Sequence, residues 1–133
     1  MGKIIVLSIF VVFLFSCTKE KDTTLSSTLT LTGTWNMTFT TGSNNTYSGP
    51  MVITQHSDNS LSGTFDWGGG HYTLDATSIV NGNKVTIDWQ GNMRFSGTVT
   101  TAFDYMTGDI SVLDLVSNKY NPYGTWSAIK SSK

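Results

Sequence analysis

Few side chains in this 133-residue chain are able to do covalent or proton chemistry. There are two histidines, His56 and His71, and one cysteine, Cys17. Glu20 is the only glutamate, so acid–base work elsewhere would fall to aspartates. Asp66 and Asp88 each precede a tryptophan, Trp67 and Trp89. Two carboxylates facing one bond hydrolyse glycosides. On strands, however, indoles that point inward send the preceding carboxylates outward to solvent. A zinc site wants three or four spaced ligands, and no cysteine accompanies the histidines. A Ser-His-Asp set lacks the Gly-x-Ser-x-Gly elbow. Gly68-Gly69-Gly70 lacks the lysine and the following helix of a phosphate loop and reads as a flexible hairpin tip. The expectation is therefore no catalytic residue, no metal and no cofactor. An enzyme would have to reveal a hydrogen-bonded Asp–His pair within a cleft.

Composition narrows the partners. Charged residues make up 13% of the chain, against an ordinary ~25%, and the formal net charge is -1. Nothing here neutralises phosphates, which excludes nucleic acid. An aromatic content of 12% with 13 glycines and only 2 prolines argues for a folded chain, not a disordered one. The length suits one domain.

The elements that would position any site begin after an apolar leader. Lys3 precedes Ile4 to Phe15, a run broken only by Ser8 and shorter than the ~20 residues of a membrane span. A basic start, a short apolar run and a small residue before a cut site describe a secretory signal peptide, 1–16. Leu14-Phe15-Ser16-Cys17 resembles the lipobox of bacterial lipoproteins, with Phe15 atypical at its place. The resemblance implies a Cys17 acylated with palmitate-type chains and a protein tethered to the bacterial cell envelope. A single acyl chain holds marginally and two or more hold stably. Thr18 stands where an aspartate would signal inner-membrane retention, and Lys19-Glu20-Lys21-Asp22 resembles surface-export signals. Together they imply the outer membrane and surface exposure. Residues 17–30 read as the lipidated cysteine and a Thr/Ser-rich linker, and 31–133 as the folded domain.

Within the domain one short element recurs, a glycine followed two residues later by a large apolar side chain. The copies are Thr32-Gly33-Thr34-Trp35, Ser62-Gly63-Thr64-Phe65, Ser96-Gly97-Thr98-Val99, Thr107-Gly108-Asp109-Ile110 and Tyr123-Gly124-Thr125-Trp126. That spacing puts both residues on one face of a strand. Inward glycines suit walls that coil sharply or make room for bulky neighbours. Period-two alternation elsewhere predicts eight strands, near 32–40, 50–56, 60–67, 71–79, 84–90, 92–101, 105–113 and 123–130. Turn signals include Gly42 to Asn45, Asn81-Gly82 and Asn121-Pro122. After Val112 the apolar parity slips to Leu113 and Leu115, which predicts a bulge or a helical turn before Asn118.

Eight short strands with enough inward side chains to fill an enclosed space point to an all-β, antiparallel up-and-down barrel, because closure removes exposed edges. Gly33-Thr34-Trp35 at the head of such a meander resembles the Gly-x-Trp start of the lipocalin-like (calycin) superfamily. The resemblance implies that Trp35 seals the closed end and that Lys130, which shares a face with Trp126 and Ala128, packs across it in place of the usual arginine. Leu31, Leu61, Ile79, Val85, Val99 and Ile129 are expected around that floor. The opposite rim gathers Phe39, Trp67, Tyr72, Trp89, Tyr123 and Trp126, a platform for a small apolar or aromatic ligand. The alternative is a filled barrel that works by protein–protein contact, in the manner of small protease-inhibiting barrels, through a terminus or loops such as Gly42 to Gly49.

Overall fold

The computed structural model describes residues 29–132. The expected leader over 1–16, Cys17 and most of the linker lie outside the described residues. Nine strands follow in order: β1 (Gly33–Thr41), β2 (Thr46–Gln55), β3 (Leu61–Trp67), β4 (Gly70–Thr73), β5 (Ile79–Asn81), β6 (Lys84–Trp89), β7 (Met93–Val99), β8 (Tyr105–Asp114) and β9 (Lys119–Lys130). They form one antiparallel sheet in the order β4-β3-β2-β1-β9-β8-β7-β6-β5. The sheet curls back on itself, bringing the chain beside β3 and β4 to β5 and β6. Isolated bridges at Ser60–Ile79 and Leu74–Trp89 join the edges. Backbone N–H groups of Leu61 and Asp75 donate across the seam to Ser78 and Asp88 at 2.9 and 2.8 Å.

The all-β meander is as the alternation predicts, but the strand count is nine, not eight. The single strand expected over 71–79 is broken by a turn closed by the Ser78 N–H donating to the Asp75 carbonyl at 3.0 Å. The turn resets the parity, so Val80 is buried and Ile79 is exposed, contrary to its expected place in the floor. Ile129 is likewise turned outward, because Trp126 and Ala128 occupy the inner face of β9. Two boundaries also move. β2 begins at Thr46, which leaves only Gly42 to Asn45 as the turn, and β9 begins at Lys119, which makes Asn121-Pro122 part of a strand.

The repeated element fills the interior. Trp35, Phe65, Val99, Ile110 and Trp126 are all buried. Gly97 and Gly108 lie directly opposite one another on β7 and β8, where a β-carbon on either would collide with the carbonyl of Thr107 or Ser96. Glycine is needed there because tight coiling brings the backbones together, not to make room for a bulky side chain. The space left between Met37, Met51, Phe65, Leu74, Ile87, Trp89 and Phe95 is about 10 Å³, no more than one water would fill.

Candidate functional site

The floor is built where the chain enters the barrel. Trp35 and Lys130 are register partners on β1 and β9, with the Lys130 ammonium 5.4 Å from the indole centroid. Lys130 Nζ donates to the Thr30 carbonyl at 2.7 Å, and Trp35 Nε1 donates to the Leu31 carbonyl at 2.9 Å. The Leu31 N–H in turn donates to Gln55 Oε1 at 3.0 Å.

At the opposite end, alternation along β1, β3, β4 and β6 turns Phe39, Trp67, Tyr72 and Trp89 inward, and their rings meet. Trp67 lies 5.4 Å from Phe39, 5.9 Å from Tyr72 and 5.8 Å from Trp89. Phe95 joins Trp126 to the group at 6.0 Å. Tyr47 stands 4.9 Å from Trp67. Tyr47 is an addition to the rings expected at this rim, because the polar stretch 42–49 reads as loop although Tyr47, Gly49, Met51 and Ile53 alternate on β2. Trp89 is only 3% exposed, so these rings plug the end of the barrel. Among the described residues, Trp67 Nε1, Trp89 Nε1 and Thr41 Oγ1 are buried without a protein partner.

Tyr123 does not belong to this cluster. Ile110 pairs with Gly124 and Ser111 with Pro122, so Tyr123 is the extra residue of a β-bulge and is left outside, 41% exposed.

Outside the wall, a groove of about 400 Å³ runs along Ser48, Gly49, Pro50, Asp66, Trp67, Gly69, Gly70 and His71. Asp66 and His71 face each other across β3 and β4 and are hydrogen-bonded. This is a hydrogen-bonded Asp–His pair in a groove, the feature an enzyme would have to reveal, but the two side chains are 48% and 68% exposed, so solvent screens the pair. Ser48 Oγ, in the same groove, is hydrogen-bonded to Thr38 Oγ1 at 3.0 Å. His56 Nε2 lies 2.8 Å from Ser62 Oγ. No group of three or more His, Cys, Asp or Glu side chains suited to a metal occurs among the described residues.

Asp88 departs from its expected solvated position. It is buried under the loop between β4 and β5 and accepts from Arg94 Nε at 2.7 Å, Arg94 Nη2 at 3.0 Å and Thr77 Oγ1 at 2.7 Å. Burial pushes its carboxyl upward, but the hydrogen bonds from Arg94 and Thr77 and the Arg94 charge outweigh burial and hold it below the usual carboxylate range. Asp88 and Asp66 thus serve different partners.

Arg94 also leads to the most exposed apolar part of the molecule. Its guanidinium sits 4.3 Å over the Tyr120 ring. β8 pairs with β7 only as far as Val112, and β9 pairs with β1 only as far as Gly124. One backbone bond on each side reaches a residue further, from the Leu113 N–H to the Asn92 carbonyl at 2.7 Å and from the Gly42 N–H to the Tyr123 carbonyl at 2.6 Å, and past these β8 and β9 pair with each other as the hairpin leaves the wall. Its turn exposes Leu115 by 80% and Val116 by 97%. Asp114 fixes the turn, with Oδ1 accepting from the Val116 N–H at 2.9 Å and Oδ2 from Ser117 Oγ at 2.7 Å. The slip of parity after Val112 was the signal for this element. It marks a projecting hairpin closed by a turn over 115–118, with the bulge on the facing strand.

No family model and no curated protein matches the chain. Among solved structures, a de novo designed fluorescence-activating β-barrel is similar at 12% identity and a TM-score of 0.47, over 75% of this chain and 93% of that one. A protein of unknown function from the DUF3598 family of Nostoc punctiforme is similar at 12% identity and a TM-score of 0.41, over 76% of this chain and 48% of that one. A redesigned β-barrel is similar at 17% identity and a TM-score of 0.51, over 77% of this chain and 92% of that one, and this likeness supports the β-barrel fold.

Proposed function

We propose that the protein is a non-catalytic, lipocalin-like barrel of the bacterial cell envelope, tethered to the outer membrane through lipidated Cys17, that acts by protein contact at its outer surface. The single observation carrying this reading is the filled interior, whose residual void of about 10 Å³ is far below the ~300 Å³ of an ordinary ligand pocket. The chain enters at the Trp35–Lys130 floor, so an anchor on that side leaves the projecting β8–β9 hairpin facing away from the bilayer.

A second reading keeps a small apolar or aromatic ligand at the rim, held in the outer groove beside Trp67. It is favoured by Trp67, which lines that groove and whose indole N–H has no acceptor among the described residues. Cofactors and nucleic acid have no place in either reading.

Two measurements test these readings. Growth on labelled palmitate should mark the wild-type chain and leave Cys17→Ser unmarked. Titration with 1-anilinonaphthalene-8-sulfonate should give no saturable one-to-one binding. Saturable binding that Trp67→Ala weakens would replace the contact reading with the ligand reading.

A further inference from the structure

The outer wall beside the rim groove is nearly free of charge. β1 and β2 carry no charged side chain, β3 adds only Asp66, and β4 adds the imidazole of His71. Alternation turns Ser48, Pro50, Asp66 and His71 to the same outer face, where all four line the groove of about 400 Å³. The groove begins where β2 and β3 stop pairing. Their ladder ends at Met51–Phe65, while β3 goes on to pair with β4 as far as Trp67–Gly70. The next residue of β2 toward the rim, Pro50, has no N–H to extend the ladder. Gly69 and Gly70 line the groove without side chains. Along its β2 side the hydroxyls continue over the wall, Thr38 with Ser48 at 3.0 Å and Thr40 with Thr46 at 3.1 Å.

This chemistry selects a ligand. A wholly apolar molecule binds where most of its surface is covered, and this groove lies open along the wall. An anion would meet a carboxylate and no lysine or arginine among the lining residues. A cation would find one carboxylate, already bonded to His71. A neutral, hydroxyl-rich ring with an apolar C–H face suits the groove on every count. We propose that the groove binds a neutral saccharide, with its hydroxyls on Asp66, His71 and Ser48 and its C–H face against Pro50 and Trp67. The inference rests on the second reading above, that the groove beside Trp67 is a ligand site, and names the ligand class. His71 Nδ1 donates to the Asp66 carboxylate, which leaves Nε2 as an acceptor for a sugar hydroxyl. The same bond holds both side chains in place before the ligand arrives, so less rotamer freedom is lost on binding.

Binding of the full chain, held in a polyoxyethylene detergent that carries no sugar, to an array of neutral and acidic glycans tests this. Neutral glycans should retain the protein. The best of them should give a saturable isotherm in calorimetry, unchanged by raised salt because the ligand carries no charge. Asp66→Ala and His71→Ala should each weaken that binding by about tenfold or more, with the near-ultraviolet circular dichroism unchanged because both side chains are exposed. Asp109→Ala, on β8, should have no effect. Retention of no glycan overturns the proposal, as do a preference for acidic glycans, binding that raised salt abolishes, and binding indifferent to both groove variants. If no glycan is retained but 1-anilinonaphthalene-8-sulfonate binds saturably and Trp67→Ala weakens it, the groove is a ligand site of another class. If neither binds, the second reading falls with the proposal and the contact reading alone stands, so the two failures are told apart.

Discussion

Lys130 faces Trp35 across β9 and β1, its ammonium 5.4 Å from the indole centroid and bonded to the Thr30 carbonyl. One side chain thereby ties the last strand, the first strand and the incoming chain together. A cation over an indole contributes about 0.5–2 kcal/mol, whereas the buried indole itself contributes through volume. Lys130→Met should therefore lower the unfolding free energy by about 1 kcal/mol, and Trp35→Ala by about 3–5 kcal/mol, read from urea unfolding at constant slope. Equal losses for the two would mean that the ammonium carries more of the floor than this geometry assigns it.

The ring cluster at the other end acts as a plug, and its members should differ according to burial. Trp89→Ala should cost about 3–5 kcal/mol, since the indole is nearly sealed among Phe65, Trp67, Tyr72 and Phe95. Tyr123→Ser, outside the cluster, should stay within about 0.5 kcal/mol. Thermal or urea unfolding of the two variants side by side makes the comparison. A costly Tyr123→Ser would refute the assignment of that residue to a bulge.

Asp88 gives the fold an acid-sensitive latch. Its folded pKa lies below the ordinary 3.8, so its contribution is fully present above that value and is lost as pH falls through the lower folded one. Asp88→Asn should cost about 1–3 kcal/mol at neutral pH. The gap between wild type and variant should narrow only below about pH 4. Melting temperatures of both proteins from pH 7 to pH 2.5, both approximate limits, report it. A gap that closes near neutrality would point to a different titrating group.

The strands carrying Trp35, Phe65, Trp89 and Phe95 were legible because a half-buried strand must alternate, and these residues do. Tyr47 and the first half of β2 escaped because Thr46 to Pro50 is polar enough to pass for loop, and only pairing with β1 makes it strand. Asp88 escaped for a related reason. Parity sends it outward, as expected, but the segment after β4 folds back over it, and no local pattern foretells which loop covers which carboxylate. Asp66 and His71 were each visible, but their meeting depends on the register of the β3–β4 hairpin.

The sequence alone determined an all-β meander, an inward set rich in indoles and glycines, and few groups fit for catalysis. These follow from side-chain periodicity and residue type, which are local properties. The tertiary structure alone decided that the barrel is full, that a turn at Asp75 divides one expected strand into two, and that a bulge turns Tyr123 outward. It also decided that β8 and β9 run on past the wall to hold Leu115 and Val116 in solvent. Packing density, strand register and the point where neighbouring strands stop pairing are properties of the closed sheet, and no single segment encodes them.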